Sequence, residues 1–200
     1  MKHVAAGVIL VVLATVAPSW GAASPVVEVR KTVDEVVRIV ADTDLKKPQN
    51  ELKRRKALKS AIGQIFDHAE MARRSMGQNW KELSPSQQKE FTDLFATLLE
   101  NSYAGKIESY NNEKIVYLKD IVDGDYAEVK SRIITAKRDE FSLDYRLMRE
   151  GERWKVYDVV IEGVSLVSNY RSQFNKIIKA QGYPELVKKM KAKREDLATP

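Results

Sequence analysis

The sequence predicts an α+β fold in which helices pack on one face of a curved antiparallel sheet of about four strands. Three observations support this fold class. Apolar residues recur at helical spacing up to Asn111-Asn112, then alternate with polar residues as in strands as far as Gly163, and finally return to helical spacing. No linker rich in proline, glycine or serine interrupts the pattern. We therefore expect a single domain.

The N-terminus has the pattern of an export signal. A short positive start, Met1-Lys2-His3, precedes an apolar run over residues 4–17, which is shorter than the roughly 20 residues that cross a bilayer. Gly21-Ala22-Ala23 then supplies small residues, so we expect cleavage between Ala23 and Ser24 rather than an uncleaved anchor. The sequence thus predicts a signal peptide over residues 1–23 and an exported domain over residues 24–200.

Composition excludes several classes of site. The chain has no cysteine, which removes disulfides, thiol catalysis, thiolate metal sites and lipoprotein anchoring. Its 34 lysines and arginines and 28 acidic residues give a formal charge of +6. Cleavage of the leader would remove only Lys2, so the exported chain stays moderately basic.

Helices account for the first half. A stripe of valines from Val26 to Val40 recurs in steps of three and four, and residues 52–65 form a second, lysine-rich helical segment. A short helix from Phe66 ends at Gly77, where a left-handed cap is usual. Ser84-Pro85-Ser86-Gln87 can form a capping box, so a long helix is predicted to start there.

Four strands follow, over residues 114–122, 126–136, 140–149 and 153–161. The turns between them are short, and Asp-Gly and Gly-Glu suit hairpins, so the strands are predicted to form an antiparallel meander. In the middle two strands one side is apolar and the other polar, which predicts one covered and one wet face. The last strand is apolar on both sides, so its inward set is ambiguous. We take the side of Val156 and Val160 as inward, and Asp158 would share it.

Two helices complete the chain, one after Gly163 and one beginning near Pro184. The predicted architecture resembles the cone-shaped cystatin-like or NTF2-like fold, which can enclose an apolar pocket. The same apolar pattern is equally typical of a solid core.

Two segments, residues 66–99 and 145–174, resemble the MlaC family, also called toluene-tolerance auxiliary proteins. The first carries Phe66-Asp67, Met71-Ala72-Arg73-Arg74, Gly77, Trp80, Leu83-Ser84-Pro85, Gln87-Gln88, Phe91 and Phe95, and the second carries Tyr145-Arg146, Trp154-Lys155-Val156-Tyr157-Asp158-Val159, Glu162-Gly163-Val164-Ser165 and Asn169-Tyr170-Arg171-Ser172-Gln173-Phe174. Met76, where leucine is expected, and the charged strand segment around Ala136 to Glu140 depart from the family pattern.

The resemblance implies a periplasmic phospholipid shuttle that helps to maintain outer-membrane lipid asymmetry. Its implied partners are an outer-membrane lipoprotein and porin complex and an inner-membrane ABC transporter with an MCE-domain ring. It implies no cofactor, only phospholipid as cargo. Nothing in the sequence indicates an oligomer, so we expect a monomer, and export argues against a nucleic-acid partner.

The predicted pocket wall combines inward strand residues with aromatic residues of two helices. Ordinary core packing is the alternative role for each member. The set is Tyr103, Tyr117, Val129, Ile133, Leu143, Tyr145, Leu147, Val156, Val160, Tyr170 and Phe174. The family motif also marks Arg73, Arg74, Asn169 and Arg171 as headgroup contacts or as structural residues.

Other functions are compatible with parts of this sequence. Cone-shaped folds also house isomerases and dehydratases, for which His68, Ser75, Asp144 and Asp158 are the available groups, but no nucleophile, metal or phosphate-loop motif is present. A periplasmic adaptor is a further alternative. Basic segments at residues 46–47, 53–56 and 188–194 could also attract anionic lipid or an acidic partner.

Overall fold

Six α-helices and one five-stranded sheet make up residues 24–198, the part of the chain that the computed structural model describes. The helices are α1 (Pro25–Ala41), α2 (Glu51–Gly63), α3 (His68–Met76), α4 (Pro85–Glu108), α5 (Leu166–Gln181) and α6 (Tyr183–Ala198). The strands are β1 (Lys114–Asp123), β2 (Tyr126–Ile134), β3 (Glu140–Glu150), β4 (Arg153–Ile161) and β5 (Val164–Ser165). The predicted α+β class is confirmed.

The sheet is an antiparallel meander in the order β1-β2-β3-β4-β5. Each of the four long strands begins at the residue predicted from the sequence. β5 is an additional short strand that pairs with the end of β4. Residues 65–67 lie beside the start of β4, because Phe66 forms a parallel bridge with Val156.

Two bulges interrupt the register. Leu118 is the extra residue of β1, since Tyr117 pairs with Ser131 and Lys119 pairs with Lys130. Tyr157 is the extra residue of β4, since Val156 pairs with Leu147 and Asp158 already pairs with Arg146. One extra residue reverses the alternation of side chains beyond it.

The bulge at Tyr157 overturns one prediction. Val156 lies on the same face as Leu147, but Val160 pairs with Asp144 and therefore lies on the opposite face, as does Asp158. The prediction that Val156, Asp158 and Val160 share the inward side is wrong. Beyond the bulge, Val159 and Ile161 take the inward positions instead.

Two apolar cores meet at Phe66, which packs against both. The sheet core joins α1, through Val29, to the covered face of the strands. The helical core is built from α3, α4, α5 and α6. α1 packs on the sheet, whereas α3 and α5 contact β4. A smaller cluster joins the end of α1 to α2 through Ile39, Val40, Leu58 and Ala61.

Two predicted helix ends are confirmed, whereas the helix predicted to start at Phe66 starts at His68. The Ser84 hydroxyl accepts a hydrogen bond from the Gln87 amide at 3.3 Å, and the Gln87 side chain accepts one from the Ser84 amide at 2.9 Å. Gly77 ends α3 with a positive φ of 57°. These caps fix where α3 stops and α4 starts.

The predicted signal peptide, residues 1–23, lies outside the described residues, so its cleavage stays a prediction. Within residues 24–198, no helix is long and apolar enough to cross a membrane.

Candidate functional site

The covered face of the sheet, called here the inner face, grades from buried to half-buried along the strands. One end is fully packed and includes Val129, Leu147, Trp154 and Val156, each at most 2% exposed. The other end is half-buried although its side chains are as apolar. This half-buried end consists of Ile115, Tyr117, Ile133, Phe141, Leu143 and Ile161.

The first helix covers the inner face with valines. Val29 is 1% exposed in the sheet core, and Val26 and Val33, one helical turn away on either side, pack against the same core. Ser24, which precedes α1, donates a hydrogen bond from its hydroxyl to Asp120 of β1 at 2.7 Å. Tertiary packing thus holds a valine-rich segment as a helix despite its modest helix propensity.

Two tyrosines place phenol groups inside this apolar face. Burial raises the pKa of Tyr117 to about 12, Asp34 adds to the rise and Arg30 opposes it. The Arg30 guanidinium lies over the Tyr117 ring, 4.9 Å from its centroid. Burial likewise raises the pKa of Tyr145. Both phenols are therefore neutral, and the Tyr117 hydroxyl is buried without a hydrogen-bond partner among the described residues.

A buried serine of β2 lies on the inner face without leaving an unsatisfied group. Ser131 is 1% exposed, and its hydroxyl donates a hydrogen bond to the Leu143 carbonyl of the neighbouring strand. Its amide also bonds the Asp144 carboxylate. The inner face therefore stays apolar around Ser131.

The predicted pocket wall is divided between the two cores. Six of its members belong to the sheet core or pack against it: Tyr117, Val129, Leu143, Tyr145, Leu147 and Val156. Tyr103, Tyr170 and Phe174 belong to the helical core, where Tyr170 and Phe174 contact Phe95. Ile133 lies on the inner face at its half-buried end, and Val160 lies on the opposite face.

Sequence reasoning missed several inner-face residues. Val159 and Ile161 could not be assigned, because β4 is apolar on both sides and no sequence signal marks its bulge. The valines of α1 were recognised as a helical stripe but not as the cover of the sheet. The spacing of these valines in steps of three and four was the signal in the sequence that could have identified this cover.

The four motif residues marked as headgroup contacts are bound within the protein. Arg73 and Arg74 both donate to Glu70 at 2.6 Å, and Arg74 also lies 3.9 Å from the centroid of the Tyr157 ring. Burial alone would raise the pKa of Glu70, but hydrogen bonds from the two arginines lower it. This geometry supports the structural role for both arginines.

Arg171 closes the C-terminal end of α3. Its Nε donates a hydrogen bond to the Arg74 carbonyl at 2.7 Å, where a helix has unpaired carbonyls and a partial negative charge. The side chain passes beside Gly77, at which an added Cβ would lie 3.4 Å from Arg171 Cδ. Asn169 is exposed and accepts a bond from Gln173. Arg171, a residue of the family motif, thus joins α5 to α3.

The residues considered for catalysis are separated and have internal partners. His68 stacks on Phe66, and burial lowers its pKa. Ser75 donates to the Ala72 carbonyl at 2.8 Å. Asp158 accepts bonds from Arg146, Ser165 and the Val167 amide on the face opposite the inner one. Asp144, on the same opposite face, pairs with Lys130.

Two surface grooves, of about 450 Å³ and 370 Å³, lie along α6. Neither is lined by a residue of the predicted pocket wall. Charged side chains such as Lys188, Lys191 and Glu90 line much of both grooves. The half-buried end of the inner face is therefore the better candidate site for an apolar ligand.

Comparisons with known proteins agree on one family. A family model described as MlaC protein matches residues 30–192. This chain is 32% identical over 120 residues to the intermembrane phospholipid transport system binding protein MlaC of Haemophilus influenzae, covering 58% of this chain and 56% of that protein. It is 25% identical over 128 residues to toluene tolerance protein ttg2D of Pseudomonas putida, covering 63% and 60%. The matches thus span less than two thirds of these curated relatives.

A solved structure extends the likeness over nearly a whole protein. The phospholipid-binding protein of Ralstonia solanacearum, in complex with a phospholipid, superposes with a TM-score of 0.77 at 29% identity. The superposition covers 86% of this chain and 98% of that one. Because the family match also extends over most of the sequence, this chain belongs to the MlaC family.

Proposed function

We propose that this protein is a periplasmic carrier that binds a phospholipid and moves it between the outer and inner membranes, which maintains the lipid asymmetry of the outer membrane. The half-buried end of the inner face carries the proposal, because it places six apolar side chains at the surface of an otherwise packed core. Membership of the MlaC family and the likeness to a phospholipid-bound structure support the same cargo.

The cargo requires shielding throughout transfer. Burial of acyl chains is worth about 0.8 kcal/mol per methylene, so two chains exposed to water would cost on the order of 20 kcal/mol or more. Release into water is therefore too slow to be useful. The carrier exchanges its lipid only while docked, and transfer makes and breaks no covalent bond.

The acyl chains are proposed to lie against the inner face, where Tyr117, Leu143 and Tyr145 form part of the pocket wall. Neutral phenols suit this position, because an ionised tyrosine beside hydrocarbon would be costly. The side chains of the half-buried end must separate to admit the chains, which requires less loss of packing there than at the buried end. The headgroup remains near solvent.

The proposed route has two docking partners. These are an outer-membrane lipoprotein and porin complex and an inner-membrane ABC transporter that carries a ring of MCE domains. The monomeric carrier would alternate between them in the periplasm. Family membership supports this route, and the export signal predicted from the sequence agrees with it.

Native mass spectrometry of the purified protein, followed by organic extraction and lipid analysis, tests the cargo. We expect one phospholipid per chain, with the number of acyl chains indicating the size of the space that opens. A protein that is free of lipid and also takes up no labelled phospholipid from vesicles would contradict the carrier function.

A pair of substitutions tests the site. Leu143→Asp puts a carboxylate on the half-buried end, whereas Met148→Asp puts one on the opposite face beside its cross-strand neighbour Lys155. Fully burying a leucine contributes about 1.5–3 kcal/mol, so lipid affinity should fall at least tenfold in the first variant. The second should retain its lipid. Equal retention of extracted phospholipid by the two variants would place the acyl chains elsewhere.

A further inference from the structure

The outward side of α2 combines lysines with one exposed leucine. Leu58 and Ala61 are the buried residues of this helix, and the side opposite them carries Leu52, which is 76% exposed, and Lys56. Lys53 is exposed on the same helix. We define the α2 basic face as Leu52, Lys53 and Lys56 together with Lys46 of the preceding turn.

The turn before α2 places both Lys46 and Lys53 near Asp42. The Lys46 amide donates a hydrogen bond to the Asp42 carbonyl at 3.1 Å, and the charge of Lys53 acts on the Asp42 carboxylate. That carboxylate accepts bonds from the amides of Asp44 and Leu45 at 2.8 Å and 3.0 Å. Asp42 therefore caps the turn, and the lysines remain directed to solvent.

The arginines of α2 are already paired, but three lysines are not. Arg54 binds Glu108 at 3.0 Å, and Arg55 binds Glu51 at 2.9 Å. Among the side chains of residues 24–194, Lys46, Lys53 and Lys56 form no ion pair. The face thus exposes compact ammonium charges around an apolar side chain and no free guanidinium fork.

The inward side of α2 is tied to the segment that leads into the half-buried end of the inner face. The Arg54–Glu108 pair ties α2 to the last residue of α4, after which a short turn leads into β1 at Lys114. β1 begins at the half-buried end with Ile115 and Tyr117. The helix that carries the α2 basic face is therefore connected, through the end of α4, to the strand at the proposed site of lipid entry.

We propose that the α2 basic face docks the protein on the anionic headgroups of a membrane surface, with Leu52 entering the interface. Lysine charge around a single leucine fits an anionic lipid surface. Protein interfaces are instead enriched in aromatic residues and arginine and depleted in lysine, and the outward side of α2 carries no aromatic residue.

Vesicle flotation tests this surface. The purified protein is mixed with vesicles of phosphatidylcholine alone or of phosphatidylcholine with phosphatidylglycerol, at low and at high sodium chloride. We expect binding to the anionic vesicles at low salt and its loss at high salt, since surface charge interactions are screened. Equal binding to both vesicles, or to neither, overturns the proposal, as does binding only to an acidic protein.

Matched triple variants locate the surface. Substitution of Lys46, Lys53 and Lys56 by glutamine should weaken binding about 100-fold, because each lysine near an anionic surface contributes roughly fivefold. The control replaces three exposed lysines outside α2, with the same change in net charge: Lys81, Lys176 and Lys179. Equal loss in both triple variants would overturn the proposal by showing that net charge alone acts.

Leu52→Ser separates insertion from charge. It should weaken binding several-fold and leave the salt dependence unchanged, because only apolar contact is lost. No effect would exclude insertion of Leu52. The inference uses the proposed function only to explain why the protein visits a membrane, and vesicle binding is measured independently of lipid extraction. Either result can therefore fail while the other holds.

Discussion

Replacing Asp158 tests how the sheet is fastened to α5. The carboxylate is buried, with the residue 3% exposed. Its Oδ2 accepts hydrogen bonds from the Ser165 hydroxyl at 2.6 Å and from Arg146 at 3.2 Å, and its Oδ1 accepts one from the Val167 amide at 3.0 Å. Strand β4 is thereby joined to the first turn of α5.

The cost of removal follows from these contacts. A hydrogen bond to a charged group contributes about 1.5–3 kcal/mol, whereas the pair with Arg146, whose side chain is 41% exposed, contributes at most about 1 kcal/mol. Asp158→Ala should therefore cost about 3–5 kcal/mol, mainly by leaving Ser165 and the Val167 amide without their acceptor. Asp158→Asn keeps an acceptor without its charge and should cost about half as much.

Urea unfolding followed by circular dichroism measures both variants. For a chain of this size, each 1 kcal/mol lost should also lower Tm by about 2–4 °C. Asp120→Ala is the control, because Asp120 is exposed and accepts only the Ser24 bond, and it should change stability by less than about 0.5 kcal/mol. If Asp158→Ala cost less than about 1 kcal/mol, the fastening role assigned to this carboxylate would be refuted.

Three further outcomes are expected in the same unfolding assay. Gly77→Ala should lower the free energy of unfolding by about 1–2 kcal/mol, because alanine resists a positive φ. Gly63→Ala should be neutral or stabilising, because no atom lies within 4 Å of the added Cβ. Equal effects of the two substitutions would contradict this interpretation. Burial lowers the pKa of His68 below 6.5, so the unfolded chain binds the proton more readily, and stability should fall as pH drops from about 7 to about 5. His68→Gln should lack that part of the decline, and an unchanged pH profile would count against it. Leu147→Ala, at a position with 0% exposure, should cost about 2–5 kcal/mol, and a loss below that range would indicate a loosely packed buried end.

Much of the fold could be predicted because local signals agreed with tertiary structure. The capping box at Ser84 and the glycine at Gly77 are side-chain and backbone devices that act within a few residues. In β2 and β3 the side chains on one face are polar and those on the other are mostly apolar, so the two faces were assigned correctly. Such features need no knowledge of distant contacts.

The candidate site was only partly predictable, because its assembly depends on contacts that leave no local trace. Val160 was misassigned because a bulge adds one residue without changing the apolar character of β4. Tyr103 and Phe174 recur at helical spacing, which does not distinguish a helix face that covers the sheet from one that packs on other helices. Both residues pack in the helical core. The pairing of Arg171 with the end of α3 joins segments far apart in sequence.

The extra residue at Tyr157 makes the length of β4 as informative as its composition. Deleting Tyr157 would restore strict alternation and leave every later side chain on its present face, because Asp158 already pairs with Arg146. If Tyr157 instead took a regular place in the strand, opposite Arg146, Asp158 would point into hydrocarbon, while Val159 and Ile161 would turn to the opposite face, among charged neighbours. The bulge therefore determines which face each later residue of the strand occupies, whereas most single substitutions in the strand would disturb only one face.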